Sequence, residues 1–398
     1  MVTVSWTGTD GNAGTRGTMG RLTRAQTQER NRVRVLAAAR EEFAERGFRH
    51  AKIDAIAERA ELTRGAVYSN FPGKRALYFA VLADAAEHAP QPPHPEPGHT
   101  ARDALAAFAR AWMTRLPLAT DPWYDSARLG MDLMPEILAD ERTRRPFAQL
   151  MRLNAILLGL ALERLRPPRE PARRMVRVAE AALTTLHGAG QLAAAAPGFV
   201  EPFNVVSACT QLAGLDLGDR WLTPSIVAPT RPADDPWSPP PATDMIHGGP
   251  VRLDGDGVVA VLGLHRLSAA EEAVRAEPPG AGVTAVIVTG DPGELAPLAR
   301  LVVADLRSCL RQSFPPSAWP RLNVVCDETG SLAAAAGVPA VSDATETAVR
   351  VRASRIVARA EGFGACHAAA AVPPDMPSTR PEDASGRPGG TAADRWSP

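Results

Sequence analysis

Residues 52–74 read KIDAIAERAELTRGAVYSNFPGK, and this stretch decides the fold. The apolar residues of its first half recur at helical spacing and predict one buried stripe, formed by Ile53, Ile56, Ala57 and Ala60. Glu61 and Leu62 then break the pattern, and Thr63 is a favoured N-cap for a second short helix. Pro72-Gly73 ends that second helix. The stretch therefore predicts two short helices joined by a tight turn.

The second of these helices presents residue types that suit the major groove of DNA. Ala66, Val67 and Phe71 can point inward, which leaves the other side chains to face outward. Arg and Asn read base edges, Gly and Ala allow close approach, and Tyr bonds phosphate. We therefore predict base-edge contacts from Arg64, Gly65, Ala66 and Asn70. The predicted phosphate contacts come from Lys52, Thr63, Tyr68, Lys74 and Arg75, of which the last two open a helix whose N–H groups also favour phosphate.

From about Arg34 to Leu82 the chain resembles the helix-turn-helix of the tetracycline-repressor (TetR) family of bacterial regulators. The segments VLAAAREEFAERGF, IDAIAERAELTRGAVYSNF and GKRALY carry this resemblance in the order and spacing of the family. Lys52 stands where a Thr commonly caps the second helix, and Glu61 stands where a Gly often makes the turn. A left-handed non-Gly residue costs about 1 kcal/mol, which a packed domain tolerates. The resemblance implies binding to a pseudo-palindromic operator in double-stranded DNA.

Charge is unevenly distributed along the chain, although the formal net charge is zero. Between Arg16 and Arg75 there are 14 Lys and Arg against 7 Asp and Glu, so this segment carries +7 and the remainder −7. A basic N-terminal module on an acidic body suits a protein that meets a polyanion with one end only. Arg16, Arg21 and Arg24 form either a basic arm on the DNA backbone or a solvated tail.

Cysteine usage and hydropathy predict a cytoplasmic protein. The four cysteines are widely separated and form no CxxC pair, which argues against structural zinc and against disulfides: Cys209, Cys309, Cys326 and Cys366. The N-terminal residues contain no apolar signal segment, and no uncharged apolar run reaches ~18 residues. We therefore expect no metal, no cofactor and no membrane partner.

The predicted fold is mainly α, with a TetR-like helix-turn-helix head and a helical regulatory body, followed by a C-terminal α/β domain. A chain of 398 residues is long enough for two to three domains. We expect a disordered tail (1–24), the DNA-binding head (25–89), the helical body (99–217), a Pro-rich linker (218–250), the α/β domain (251–371) and a second disordered tail (372–398). Head and body helices are expected at 28–46, 75–88, 101–116, 125–140, 144–165, 171–196 and 202–217.

The last two body helices are rich in small residues, which let helix axes approach closely. The TetR resemblance implies that this pair forms a four-helix interface in a homodimer; packing within one chain is the alternative. A small-molecule effector is expected among the body helices. The candidate lining residues, each of which is otherwise a core residue, are Trp112, Trp123, Tyr124, Met131, Met134, Phe147, Met151 and Asn154.

The C-terminal domain alternates predicted strands and helices. Strands are expected at 258–264, 283–289 and 322–326, helices at 294–313 and 331–336, and a hairpin at 347–360. The runs NVVCDETGSLAAAAGV and AVRVRASRIVARAEG resemble the second half of a thioredoxin-like fold. Thioredoxin-like redox chemistry needs a thiolate at a helix start, whereas GDPGEL follows the second strand and contains no Cys. We therefore expect Cys309 and Cys326 to be buried and inert.

These observations predict a sequence-specific, dimeric, ligand-responsive regulator of transcription, acting as a repressor that a small molecule releases. Two other classes of function compete with this interpretation. In one, the C-terminal domain is catalytic, and the missing nucleophile argues against it. In the other, that domain recruits a protein partner. We favour the transcriptional regulator, and we therefore expect no enzymatic activity.

Overall fold

The structure is a computed structural model that describes residues 23–90, 96–116, 129–167, 172–278 and 281–373. Of the predicted tails (1–24 and 372–398), residues 1–22 and 374–398 lie outside the described residues, as do Trp123 and Tyr124. The head contains α1 (Arg24–His50), α2 (Ile53–Arg59), α3 (Arg64–Asn70) and α4 (Lys74–Glu87). The body contains α5 (Ala101–Met113), α6 (Leu133–Leu138), α7 (Glu141–Arg164), α8 (Val176–Ala195) and α9 (Pro202–Leu212).

The C-terminal part is an α/β domain built on one mixed sheet. Its elements are β1 (Arg231–Pro236), β2 (Gly257–Gly263), α10 (Ala269–Ala276), β3 (Gly282–Val288), α11 (Leu295–Ser313), β4 (Leu322–Cys326), α12 (Ser331–Ala335), β5 (Glu346–Arg352), β6 (Arg355–Glu361) and α13 (Ala365–Ala370). The strand order is β1-β6-β5-β2-β3-β4. Strands β2, β3 and β4 are parallel, whereas β5, β6 and β1 are each antiparallel to the neighbour on the β2 side.

Local sequence explains where the first helix begins and bends. Thr23 caps α1 in a capping box with Gln26, so the helix starts four residues before the predicted position. Val35, Ala39 and Phe43 form its buried stripe. The backbone of Gly47 is non-helical (φ 70°, ψ 168°), and this break lets the last turn of α1 lead into α2.

The central strands are buried on both faces, as their continuous apolar sequences predict. In β2, Val258, Ala260 and Leu262 belong to a core shared with the helices of the head and body. Val259 and Val261 point to the other face and pack in a second core, which includes Trp237. This period-two division follows from the pleat of a strand.

Helix α11 joins the α/β domain to the helical part of the chain. It packs against α4, α5 and α7, and its buried face includes Leu298, Val302 and Leu306. Asn154 of α7 donates a hydrogen bond from Nδ2 to the carbonyl of Val302 at 3.1 Å. The sheet, the body and α4 therefore share one continuous hydrophobic core.

The sequence did not indicate three features of this architecture. Strand β1 lies inside the segment that was predicted to be a Pro-rich linker, where it pairs antiparallel with β6. The second half of this strand is held by ion pairs rather than by an apolar pattern, because Arg355 contacts Asp234 at 2.5 Å and Arg359 contacts Asp235 at 3.0 Å. Helices α10 and α13 were also not predicted. Both are short, and their many Ala residues give only a weak periodic signal.

Candidate nucleic-acid interface

The turn between α2 and α3 fixes the orientation of α3. Glu61 occupies the left-handed region at φ 51°, as its position in the turn predicted. The N–H of Leu62 donates to the carbonyl of Ala57 at 2.9 Å, which closes the turn. Thr63 then caps α3, because its Oγ1 accepts a hydrogen bond from the N–H of Ala66 at 3.2 Å. Lys52 starts α2 without a side-chain cap.

Helix α3 has one buried face and one exposed face. Val67 is 1 % exposed, and Phe71, directly after the helix, is 2 % exposed. The predicted DNA-contacting residues that are exposed are Lys52, Thr63, Arg64, Gly65 and Tyr68, whereas Ala66 and Asn70 are half-buried. Asn70 donates from Nδ2 to the carbonyl of Ala66 at 2.8 Å, so its amide is held against the helix. Lys52 directly precedes α2, and the other six residues are the N-cap or members of α3.

Arg64 is held in place although its side chain is exposed. Its Nη1 lies 3.2 Å from the Asp54 carboxylate, and its guanidinium lies 5.6 Å from the centroid of the Tyr68 ring. Both side chains of the ion pair are more than 60 % exposed, so the pair is weak in water and is available for exchange with a polyanion. The hydrogen bond with Tyr68 and the charge of Asp54 raise the pKa of Arg64.

Lys74 and Arg75 at the start of α4 are less accessible than their sequence position suggests. Lys74 donates from Nζ to the carbonyl of Arg49 at 3.2 Å, and its ammonium lies 4.6 Å from the Phe48 ring centroid. Burial lowers the pKa of Lys74. The guanidinium of Arg75 contacts two carboxylates, Glu294 at 2.5 Å and Asp140 at 2.8 Å. Arg75 therefore links the head to α11 and the body.

The α/β domain also reaches the end of α3, which the sequence did not indicate. A methyl group added at Gly293 would lie 2.9 Å from the ring of Pro72, the residue that follows Phe71. Glu294, the next residue, provides the carboxylate for Arg75. The loop between β3 and α11 therefore lies against the segment that joins α3 to α4. No local sequence signal could have identified this contact, because the residues involved are more than 200 positions apart.

The predicted effector residues that the structure describes have different degrees of exposure. Trp112 is half-buried and packs against His187, with ring centroids 4.7 Å apart. Asn154 is buried and Met131 is 43 % exposed. Met134, Phe147 and Met151 are half-buried against the main core. Two cavities of about 600 and 590 Å³ lie elsewhere, at the edges of the α/β domain.

The four thiols lie in environments that keep them protonated. Burial raises the pKa of Cys209 to about 11 and that of Cys326 to about 12. Burial also raises the pKa of Cys309 and of Cys366. Cys309 is fully buried in the middle of α11, as predicted, whereas Cys326 is only partly buried. A protonated thiol is a poor nucleophile, so none of the four resembles a reactive cysteine.

Comparison with known proteins identifies the head. Residues 35–81 match the model of the family described as bacterial regulatory proteins, tetR family. Over 65 residues the chain is 46 % identical to the HTH-type transcriptional regulator SrpR of Pseudomonas putida, which is 16 % of this chain and 30 % of that protein. It is also 46 % identical over 65 residues to the uncharacterized HTH-type transcriptional regulator TtgW of Pseudomonas putida, which is 16 % of this chain and 48 % of that protein. The matched segments therefore span less than half of these relatives.

Solved structures of regulators overlap with about half of the chain. A TetR transcriptional regulator from Rhodococcus sp. RHA1 has 18 % sequence identity and a TM-score of 0.31, and covers 47 % of this chain and 94 % of its own. Native NalD of Pseudomonas aeruginosa has 21 % identity and a TM-score of 0.32, over 47 % and 96 %. The N-terminal match stands by itself and shows a TetR-family DNA-binding domain.

Among the described residues, no helix is both long and apolar enough to cross a membrane.

Proposed function

We propose, from the premise that residues 35–81 form a TetR-family DNA-binding domain, that this protein is a sequence-specific DNA-binding regulator of transcription. It acts in the cytoplasm, as a repressor whose operator affinity a small molecule lowers. The exposed face of α3 carries the proposal: Arg64 and Tyr68 are solvent-accessible, whereas Val67 on the opposite face is buried. This division leaves base-reading side chains free while the helix stays anchored.

The assignment of contacts follows the accessibility of each side chain. Arg64, Gly65 and Ala66 read base edges, as does Asn70 when its amide leaves the Ala66 carbonyl, and Lys52, Thr63 and Tyr68 contact phosphates. Lys74 contacts phosphate only if its ammonium leaves the Arg49 carbonyl, so its contribution is smaller. Arg75 positions α4 through its two carboxylate partners rather than touching DNA.

Large exposed apolar residues on and between α8 and α9 support a homodimer. Phe203 is 73 % exposed, Phe199 is 72 % exposed and Leu192 is 47 % exposed. Exposed residues of this size on helices rich in small side chains favour a helical interface between two copies. Two heads in one dimer would then occupy successive major grooves about 34 Å apart. Light scattering tests this: Phe203→Glu should yield a monomer, whereas Leu138→Glu, an exposed apolar residue of α6, should not.

Selection of bound duplexes from a random pool tests the DNA-binding proposal. We expect a pseudo-palindromic site, and we expect Arg64→Ala to relax discrimination at one position of each half-site by about 1–3 kcal/mol. Arg110→Ala removes an exposed arginine from the body and serves as the matched control. Equal recovery of all sequences by the unmodified protein, or the same selected site for Arg64→Ala, would contradict the assignment.

We further infer that the α/β domain is a regulatory module with a thioredoxin-like arrangement. A parallel β2-α10-β3 unit precedes the antiparallel hairpin β5–β6 and helix α13, and the hairpin pairs with β2; this order supports the resemblance. The raised thiol pKa values favour regulation over redox catalysis. A reductase or peroxidase turnover that disappears on Cys326→Ser would contradict this inference.

A further inference from the structure

A cavity of about 600 Å³ opens where the α/β domain meets the end of α4. Its walls come from Glu87 at the end of α4, from Arg300 and Arg307 of α11, and from the segments around Asp244 and Asp327. This volume lies within the range of about 300–1,000 Å³ that is typical of small-molecule sites. The cavity is distant in sequence from the residues that were predicted to line an effector site in the body.

The carboxylates of this cavity already have partners. Glu87 accepts two hydrogen bonds from Arg300, at 2.8 and 2.5 Å, and Glu328 accepts a third at 3.1 Å. Asp327 accepts from two backbone N–H groups of the following helix, at 3.1 and 2.8 Å. Asp244 accepts from two backbone N–H groups, each at 3.0 Å. These acids and Arg300 are therefore committed to holding the walls together.

Among the described residues, Arg307 is the charged group of the cavity for which no hydrogen bond or ion pair forms. Its Nε is buried without a hydrogen bond, and no ion pair to its guanidinium forms within the described part of the chain. The guanidinium lies against Gly248, where an added methyl group would clash with an Arg307 nitrogen. An unmatched, partly buried cation is costly unless an anion compensates it. Arg307 therefore indicates a site for an anionic group.

The rest of the lining is apolar enough to hold the body of an organic molecule. Met245, Ala304, Val325 and Leu332 contribute to the same cavity wall as Arg307. Ala304 lies one turn before Arg307 on α11, so a ligand bound to the guanidinium can extend its apolar part along the helix. This combination fits a small carboxylate with a hydrocarbon or aromatic body.

The position of the cavity connects it to the DNA-binding head. Arg300 lines the cavity and binds Glu87, the last residue of α4. The first turn of the same helix follows α3 directly, and there Arg75 binds Glu294 at the start of α11. Helix α4 is therefore tied to α11 at both ends. Arg300 lines the same cavity, so a ligand held by Arg307 lies beside one of these two ties and changes its surroundings when it binds.

We propose that this cavity binds a small organic carboxylate through Arg307, and that its occupancy changes DNA affinity through the Arg300–Glu87 pair. The first part stands independently of the DNA-binding assignment. The second part rests on the proposed function. The cavity is thus an effector site between the α/β domain and the head.

Isothermal titration on the full chain tests the site with matched acids and amides: octanoate against octanamide, and benzoate against benzamide. We expect at least one acid to bind about tenfold more tightly than its amide, because only the acid pairs with Arg307. Arg307→Gln should weaken that acid at least about tenfold. Arg110→Gln is the control, since Arg110 is an exposed arginine of α5 that does not line the cavity, and it should change the affinity by less than about threefold.

A second variant guards against a folding defect. Ala304→Leu narrows the cavity and leaves the charges in place, so it should also weaken the acid while the thermal unfolding midpoint stays high. The site proposal is overturned if neither acid binds, if amides bind equally, or if Arg307→Gln binds as the unmodified protein does. Inorganic phosphate binding as tightly as the acids would overturn the organic-carboxylate assignment.

Anisotropy with a labelled duplex tests the coupling. Saturating acid should change the DNA affinity at least about threefold in the unmodified protein and not in Glu87→Gln, which retains Arg307. Acid binding without any change in DNA affinity overturns the coupling but not the site. A protein that binds the acid and ignores DNA even without it contradicts the proposed function and leaves the site standing.

Discussion

Replacing Arg75 with Gln distinguishes between two roles for this residue, phosphate binding and positioning of α4. As a first-turn cation of α4, Arg75 would contact a phosphate; as a partner of Glu294 and Asp140, it would fix the helix. The structure favours the second role, because the Arg75 side chain is 24 % exposed and that of Glu294 is 18 % exposed. Removing the guanidinium leaves the Glu294 carboxylate partly buried without its cation.

The two roles have different magnitudes and different readouts. A lost phosphate contact lowers the slope of log affinity against log salt by about 0.9. A lost, partly buried ion pair instead costs about 1–2 kcal/mol of unfolding free energy, less than the 3–5 of a fully buried pair because Asp140 is screened by solvent. We therefore expect Arg75→Gln to leave the salt slope unchanged and to lower the urea midpoint. Lys52 is an exposed cation, so Lys52→Gln should lower the salt slope by about 0.9 and leave the urea midpoint unchanged.

The assays need no operator sequence. Anisotropy with an arbitrary duplex at several salt concentrations gives the slope, and urea unfolding followed by circular dichroism gives the free energy. Glu294→Gln should reproduce the stability loss, and the double variant should lose less than the sum of the two single changes. A slope that falls by about 0.9 in Arg75→Gln, with an unchanged urea midpoint, would refute the positioning role and restore the phosphate contact.

Three further outcomes test the packing and the titration of buried groups. Gly159→Ala should lower the unfolding free energy by about 1–3 kcal/mol, because the new methyl would lie 2.8 Å from the Val176 backbone; Gly188→Ala meets nothing within 4 Å, and a comparable loss there would contradict this steric explanation. Burial raises the pKa of Cys326 to about 12, so the rate of its alkylation by iodoacetamide should rise tenfold per pH unit up to about pH 10. A rate that stops rising near pH 8.5, as followed by mass spectrometry, would contradict the raised pKa. Burial raises the pKa of Glu272 to about 7, so the contribution of Glu272 to the free energy of unfolding is complete below about pH 4.5 and is lost as the pH rises through 7. The Glu272→Gln variant should therefore be more stable than the unmodified protein by about 1–2 kcal/mol at pH 8 but not at pH 4. Equal urea midpoints of the two proteins at pH 8 would refute this.

The packing of α11 changes how the α/β domain should be studied. Deleting residues 251–398 is the obvious test of an appended domain. Here it would remove Leu298 and Leu306 from a core shared with α4 and the body, and would expose apolar surface on those helices. Single changes such as Arg300→Gln, which cut one tie between α11 and α4, therefore separate regulation from folding better than truncation does.

Local sequence determined the elements whose signals are short-range. The apolar period of α2, the N-cap of Thr63 and the turn at Glu61 predicted the helix-turn-helix, because each signal lies within a few residues of the structure it specifies. The continuous apolar runs of β2 and β3 likewise predicted buried strands. Predicted helix ends differed by several residues where caps were weak, as at the start of α8, whose N-cap makes no side-chain hydrogen bond.

Only the tertiary structure decided which charged side chains are exposed to solvent and which are bound to other residues of the chain. Local sequence predicted the same role for Lys52 and Arg75, but Lys52 is exposed and Arg75 meets carboxylates 65 and 219 positions away. The tertiary structure also decided three other features: the strand in the Pro-rich segment, the packing of α11 beside α4, and an Arg307 that is unpaired among the described residues. Each depends on contacts between distant residues, and such contacts leave no periodic trace in the chain, because packing is specified by shape and charge in three dimensions.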